Sequence, residues 1–168
     1  MMRAWLGAAM VLVANAGVTA AQEAPHEWGT YRDTQYGFSA ELPFGMFERP
    51  AEQAGNGLTL LQIFGSGQIS IYGGDAAGLT LERFEQRLSA GAEVRDITYR
   101  ASGDSWFVLS GFYDQPNGEP LIFYTKVLLS SDRQRFSAFE VSYDQREKAQ
   151  FDGIVTRIED SFTRPGSL

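Results

Sequence analysis

The chain has 168 residues and a formal charge of −7, with 21 acidic side chains against 14 lysines and arginines. This acidic balance argues against nucleic acid or anionic lipid as a partner, because both carry negative charge. The absence of cysteine excludes a disulfide framework, a thiolate metal site, a cysteine nucleophile and the acylated cysteine of a lipoprotein.

The first residues have the features of a secretory signal peptide. Met1-Met2-Arg3 is a short cationic start, and an apolar run follows over residues 4–14. Small residues up to Ala20 fit a cleavage site, and the apolar run is shorter than the roughly 20 residues that cross a bilayer. We expect residues 1–21 to be a signal peptide that directs the protein to the periplasm or the medium, with an uncleaved anchor as the alternative.

The mature chain, residues 22–168, has the size of one domain. Its length of about 147 residues allows a hydrophobic core without disulfides or metal. Loss of the signal peptide removes Arg3 and no acid, so the charge becomes −8. No second apolar run of membrane length occurs, so we expect no stable membrane insertion after cleavage and an ordered core over about residues 28–163.

Short strands and turns are predicted in the first part of the mature chain. The predicted strands here are residues 28–33, 36–43, 57–64 and 68–72. Residues 44–57 predict an irregular connection, and Gly65-Ser66-Gly67 predicts a tight hairpin between the last two strands. The glycine-rich residues 73–78 predict a loop.

A helix and two further strands follow this loop. The helix is predicted from about Thr80, with Leu81, Phe84 and Leu88 on one face and Gly91 at its end. Strands are predicted over residues 94–101 and 105–114.

The strongest pattern is the closing stretch from Leu121 to Phe162. Residues 121–130 are apolar on both faces, which predicts an interior strand covered on both sides, and a second strand follows over 136–143. Asp144 and Glu147 predict a capping box that starts a helix. Its apolar stripe has helical spacing and consists of Phe151, Ile154, Val155, Ile158 and Phe162.

About eight strands and two helices predict an α+β fold with a mostly antiparallel sheet in an α/β/α sandwich. The helices would lie on opposite faces of the sheet. Two alternatives remain open at this stage. Both helices share one face while a loop covers the other, or the sheet is a curved barrel with helices at its ends.

The order of elements resembles the Mog1/PsbP-like family. Residues 36–43 (Tyr-Gly-Phe-Ser-Ala-Glu-Leu-Pro) are similar to the opening G-F-S-x-x-x-P strand of that family. Residues 151–162, which end in Ile158-Glu-Asp-Ser-Phe162, are similar to its closing helix. The family includes photosystem-associated extrinsic proteins, a nuclear-transport cofactor and many small bacterial envelope proteins. The resemblance covers most of residues 28–163 and implies a Mog1/PsbP-like sandwich with an accessory or binding role.

No stretch of the chain has a catalytic signature, and no catalytic residue is predicted. His26 is the single histidine and lies near the expected mature N-terminus, so it lacks a group to orient it. Ser66 and Ser110 lack the flanking pattern of a nucleophile and a histidine partner. Lys126 lies inside a predicted strand, either as a buried base or with its amine extended to solvent. The loop at 73–78 lacks the lysine of a phosphate-binding loop.

One group of oxygen ligands makes a candidate metal site. Asp114, Asn117 and Glu119 lie in one predicted turn and have the ligand chemistry of Ca²⁺, although this composition is also ordinary for a turn. No cofactor is predicted. Aromatic side chains are frequent on residues 106–143, and most are expected in the core, with a minority free to line a cleft or an interface.

The sequence therefore predicts a soluble, exported, non-catalytic accessory or binding module of the cell envelope. Its partner would be an envelope protein or a small ligand. The alternatives are a small hydrolase-like enzyme that uses carboxylates, and an envelope protein whose loops bind calcium. The loops at 44–57, 73–79 and 114–120 are the places where we expect function to lie.

Overall fold

The computed structural model describes residues 27–53, 55–91, 93–115 and 118–167. The expected signal peptide, residues 1–21, and His26 lie outside the described residues.

The described residues form nine strands, two α-helices and one 3-10 turn. The strands are β1 (Gly29–Arg32), β2 (Ser39–Leu42), β3 (Phe47–Glu48), β4 (Gly57–Gln62), β5 (Gln68–Asp75), β6 (Val94–Gly103), β7 (Trp106–Tyr113), β8 (Leu121–Leu129) and β9 (Arg135–Asp144). The helices are α1 (Leu81–Ser89) and α2 (Lys148–Ser161), and the 3-10 turn is Gln145–Glu147.

Seven strands form one antiparallel sheet in the order β3-β4-β5-β9-β8-β7-β6, and β1 pairs with β2 as a separate hairpin. β8 pairs with β9 on one side and β7 on the other, which confirms the prediction of an interior strand. Its alternating side chains reach both faces of the sheet. Phe123 and Val127 are fully buried on one face, and Leu128 is buried on the other.

The helix α2 and the β1–β2 hairpin cover one face of the sheet. Phe151 and Ile158 of α2 are fully buried in a cluster that includes Phe139 of β9. The hairpin adds Phe38, which is 2 % exposed. The apolar stripe of the closing helix therefore packs as its spacing predicts.

The shorter helix α1 covers part of the opposite face. Its Phe84 packs on Phe107 of β7, with ring centroids 5.3 Å apart, beside the fully buried Ala138 of β9. Because Ala138 and Phe139 are successive residues of one strand, they point to opposite faces, and so the two helices lie on opposite sides. The predicted α+β class and α/β/α arrangement are confirmed. Thr80 caps α1, since its hydroxyl accepts from Arg83 N over 3.2 Å.

The prediction of a loop over residues 73–78 is wrong at its start. β5 continues through Gly73 and Gly74, which pair with Ser137 and Phe136 of β9. A Cβ atom at Gly73 would lie 2.7 Å from Tyr36 Cδ2, and one at Gly74 would lie 2.6 Å from Phe136 Cε1. These glycines therefore make room for aromatic rings over the strand rather than forming a turn.

Two other local predictions need correction. The connection at 44–57 contains β3, a two-residue strand that pairs with β4 and raises the number of strands to nine in the described part of the chain. The capping box is only half formed, because Asp144 accepts from Arg146 N over 2.8 Å and caps a 3-10 turn. Glu147 accepts a bond from Gln62 instead of reaching back to Asp144, and the α-helix begins at Lys148.

Candidate binding surface

The loop between β4 and β5 carries the most exposed large apolar side chain among the described residues. Phe64 is 91 % exposed, and its neighbours Ile63 and Leu61 are 44 % and 38 % exposed. We call residues 61–67 the β4–β5 tip. Sequence analysis missed it as a site, although an Ile-Phe pair directly before Gly-Ser-Gly is the signal that marks it.

Hydrogen bonds hold the β4–β5 tip in one conformation. Gln62 N donates to Gly67 O over 2.7 Å, and Gly67 N donates to Gln62 Oε1 over 2.8 Å. The Gln62 side chain also donates from Nε2 to Glu147 Oε1 over 2.9 Å. Ile63 N donates to Met46 O over 3.0 Å. Phe64 is therefore presented by an ordered turn, tied to both the β3 region and the turn before α2.

An acidic pocket of about 410 Å³ adjoins the tip. The pocket is lined by Gly65, Ser66, Gln115, Gly118, Glu119, Leu121, Asp144, Arg146 and Glu147. We call it the acidic pocket because its charged lining has three carboxylates and one guanidinium. Arg146 Nε donates to Asp144 Oδ1 over 2.9 Å, and this bond, with that from the Arg146 amide, lowers the pKa of Asp144 to about 2.

The acidic pocket offers carboxylate acceptors. Asp144, whose pKa is lowered, is held ionised and so is suited to accept hydrogen bonds rather than to donate a proton. Ser66 lies in the pocket lining, which contains no lysine or histidine to activate it. The arrangement is suited to receiving a cationic group.

Glu140 is a carboxyl group with a raised pKa, and it lies on the α1 side of the sheet. Burial is the main cause of the raised pKa, and the nearby charge of Glu93 adds to it. Tyr113 Oη and Thr125 Oγ1 donate to the two carboxyl oxygens over 3.0 and 2.9 Å. Among the described residues no lysine or arginine forms an ion pair with Glu140. Sequence analysis did not single it out, although it is the one acid within residues 136–143.

Lys126 is paired with an acid of α2. Its Nζ lies 2.6 Å from Glu159 Oε1 and 6.0 Å from the ring centroid of Trp106. The lysine amine thus reaches the helix α2 and pairs with an acid there, rather than extending freely to solvent or lying as an unpaired buried base. Ser110 pairs with Tyr124 on the neighbouring strand, and its hydroxyl donates to Phe123 O over 2.6 Å.

The three candidate metal ligands have different surroundings. Asp114 is exposed and lies 3.7 Å from Arg95 Nη1. Glu119 lines the acidic pocket, and Asn117 lies outside the described residues. In the described ranges, no three His, Asp or Glu side chains are grouped closely enough to hold a metal ion. Calcium binding by this turn stays a prediction.

The chain is similar in structure to cyanobacterial PsbP (CyanoP) from Synechocystis sp. PCC 6803, with a TM-score of 0.62 and 13 % sequence identity. The match covers 90 % of this chain and 99 % of that chain. The chain has the Mog1/PsbP fold. It is also similar to the Ran-binding protein Mog1p of Saccharomyces cerevisiae, with a TM-score of 0.59, 6 % identity and coverage of 82 % of this chain and 95 % of that one.

The Mog1/PsbP fold predicted from the resemblance is thus confirmed, and identities this low show the fold alone. No protein-family model matches the chain. No curated protein matches its sequence either. Within the part of the chain that the structure describes, no helix of the Mog1/PsbP fold has the length and apolarity to cross a membrane.

Proposed function

We propose that this protein is an exported, non-catalytic accessory module of the cell envelope that binds a protein partner through the β4–β5 tip. The observation that carries the proposal is the 91 % exposure of Phe64 beside the partly exposed Ile63 on an ordered turn. Exposed apolar groups of this kind are characteristic of interaction sites.

Phe64 has the properties of an interface anchor. A phenylalanine ring removed from water in a partner's pocket contributes more to binding than most other contacts, because its apolar area is large. The tip is already held by Gln62, so little conformational entropy is lost when it binds. A rigid apolar anchor favours a protein partner with a matching cavity.

The arrangement of carboxyl groups supports a non-catalytic role. Asp144 is held ionised by Arg146, and Glu140, whose pKa is raised, lies on the sheet face opposite α2 and not in the lining of the acidic pocket. The two therefore do not form an acid and base across one cleft. The similarity to Mog1p, which is named a Ran-binding protein, shows that this fold is used for protein binding elsewhere.

Export is proposed from the first 21 residues, whose cationic start and apolar run have signal-peptide features. The test is to express the full chain and a chain starting at Gln22 in bacterial cells and to compare their fractions. The full chain is expected in the periplasmic fraction at a lower mass, and the shortened chain in the cytoplasm. Full-length protein retained with the membrane would contradict a cleaved signal peptide.

Affinity capture from the envelope fraction tests the binding role. Tagged wild-type protein, Phe64→Ser and Tyr99→Ser are compared, because Tyr99 is an aromatic residue that is 54 % exposed on the distant edge strand β6. We expect the same protein with wild type and Tyr99→Ser, and its loss with Phe64→Ser. Equal capture by all three proteins would contradict the proposal.

A further inference from the structure

We propose that the acidic pocket receives a lysine or arginine side chain of the protein that binds Phe64. The partner then presents a basic side chain next to an apolar cavity. This inference rests on the proposed function and specifies the chemistry of the partner at the same site.

The pocket and the anchor belong to one surface. Gly65 and Ser66 follow Phe64 directly in the chain and line the acidic pocket. A partner whose cavity encloses the Phe64 ring therefore lies next to the acidic pocket, whose lining begins with the following residue. Partner side chains next to this cavity therefore come close to the carboxylates of the acidic pocket.

The charges in the pocket favour a cation. Arg146 is already bonded to Asp144, which leaves Glu119 and Glu147 as the other charged groups of the lining. Glu119 is exposed and has no ion pair within the described ranges. Glu147 accepts one hydrogen bond, from the neutral Gln62 amide, so its carboxylate retains free acceptor sites. Glu119 and Glu147 also lie within electrostatic reach of Arg146, but three carboxylates against one guanidinium leave the lining with a net negative charge, which favours an added positive charge.

A basic side chain fits this pocket better than other cations or surfaces. A volume of about 410 Å³ is much larger than a metal ion, and a guanidinium carries five donors that suit several carboxylate acceptors at once. An anionic membrane is unfavourable because the pocket and the chain carry net negative charge. A partner with a lysine or arginine beside an apolar cavity can bind the carboxylates of the acidic pocket and enclose the Phe64 ring at the same time.

The test uses a photo-crosslinking amino acid at position 64 of the full chain, expressed in its own cells. Crosslinking yield is compared among the unmodified background, Glu119→Lys, Glu147→Gln and the control Asp104→Lys. Asp104 is exposed in the β6–β7 turn, at the opposite end of β7 from Glu119, so the control makes the same charge change at a remote place. Thermal unfolding of each variant confirms that it is folded.

We expect the adduct with one envelope protein to fall roughly tenfold with Glu119→Lys, to fall less with Glu147→Gln, and to persist with Asp104→Lys. Once the partner is identified, its lysine or arginine nearest to the crosslinked residue is exchanged for glutamate. This change should restore the adduct with Glu119→Lys. This rescue distinguishes a direct charge pair from a general loss of binding.

The opposite results separate the two proposals. If the adduct yield is the same with and without Glu119→Lys, the inference about the pocket is overturned, and Phe64 remains a binding anchor. An adduct with lipid or with a second copy of this chain also overturns it. Absence of any adduct at position 64, together with capture that does not depend on Phe64, overturns the proposed function itself.

Discussion

Gln62 of β4 and Glu147 of the 3-10 turn are joined by a hydrogen bond of 2.9 Å between residues 85 positions apart in the chain. The same Gln62 side chain accepts from Gly67 N over 2.8 Å. One amide therefore holds the β4–β5 tip closed and attaches it to the wall of the acidic pocket. The two parts of the proposed binding surface depend on this residue for their relative position.

Replacing Gln62 with alanine is expected to loosen the tip. The variant loses the bonds to Gly67 and Glu147, and we expect the free energy of unfolding to fall by about 1–2 kcal/mol. Amide hydrogen exchange at Gly67, measured by NMR, should become faster than in wild type. The control Gln150→Ala removes an exposed amide of α2 and should change stability by less than about 0.5 kcal/mol. Unchanged exchange at Gly67 would show that Gln62 does not hold the turn.

Two phenylalanines of this protein should respond very differently to truncation. Phe151 is fully buried and stacks on Tyr143 with ring centroids 4.3 Å apart, so Phe151→Ala is expected to cost about 3–5 kcal/mol. Phe64→Ala should change the free energy of unfolding by less than about 0.5 kcal/mol, because the ring is exposed. Urea denaturation checks both values. A cost at Phe64 comparable to that at Phe151 would assign the ring to the core and remove the reason to regard it as an anchor.

Glu140 should make the stability of the protein depend on pH. Burial raises its pKa in the folded state, so the protonated form is favoured by folding. Its contribution is complete below the ordinary glutamate range and is lost as the pH rises through the raised value. Because the glutamine in Glu140→Gln cannot ionise, the free energy of unfolding of this variant should change less with pH in this range. Urea denaturation of both proteins at a series of pH values from 4 upward measures this difference. Parallel profiles for wild type and variant would contradict the assignment.

The glycines of β5 should be sensitive to a single added methyl group. Gly73→Ala would place a Cβ 2.7 Å from the Tyr36 ring, and we expect a loss of about 1–3 kcal/mol from overpacking. Gly153→Ala is the matched control on the exposed side of α2, because its added Cβ would meet no described atom within 4 Å beyond its chain neighbours and the backbone of its own helix. That change should stabilise the protein by about 0.5–1 kcal/mol through helix propensity. Equal effects at both positions would show that the rings do not pack on Gly73.

The sequence by itself determined the main elements and the fold class. Residues 121–129 are apolar on both faces and the stripe from Phe151 to Phe162 repeats every three or four residues, and both patterns arise from local geometry. Two covered faces and two amphipathic helices then leave few layer arrangements, of which the α/β/α sandwich is the observed one. The signal peptide stays a prediction from the sequence, and calcium binding stays an alternative that the sequence leaves open.

Only the tertiary structure decided which residues meet. Ser66, Glu119 and Glu147 are far apart in the chain, and the register of β4, β8 and β9 brings them to one pocket. The role of Gly73 was hidden for the same reason, because the ring that requires it belongs to another element. The exposure of Phe64 also depends on what the rest of the chain leaves uncovered. Periodicity reports the local conformation of a segment, whereas its partners are set by contacts that are distant in sequence.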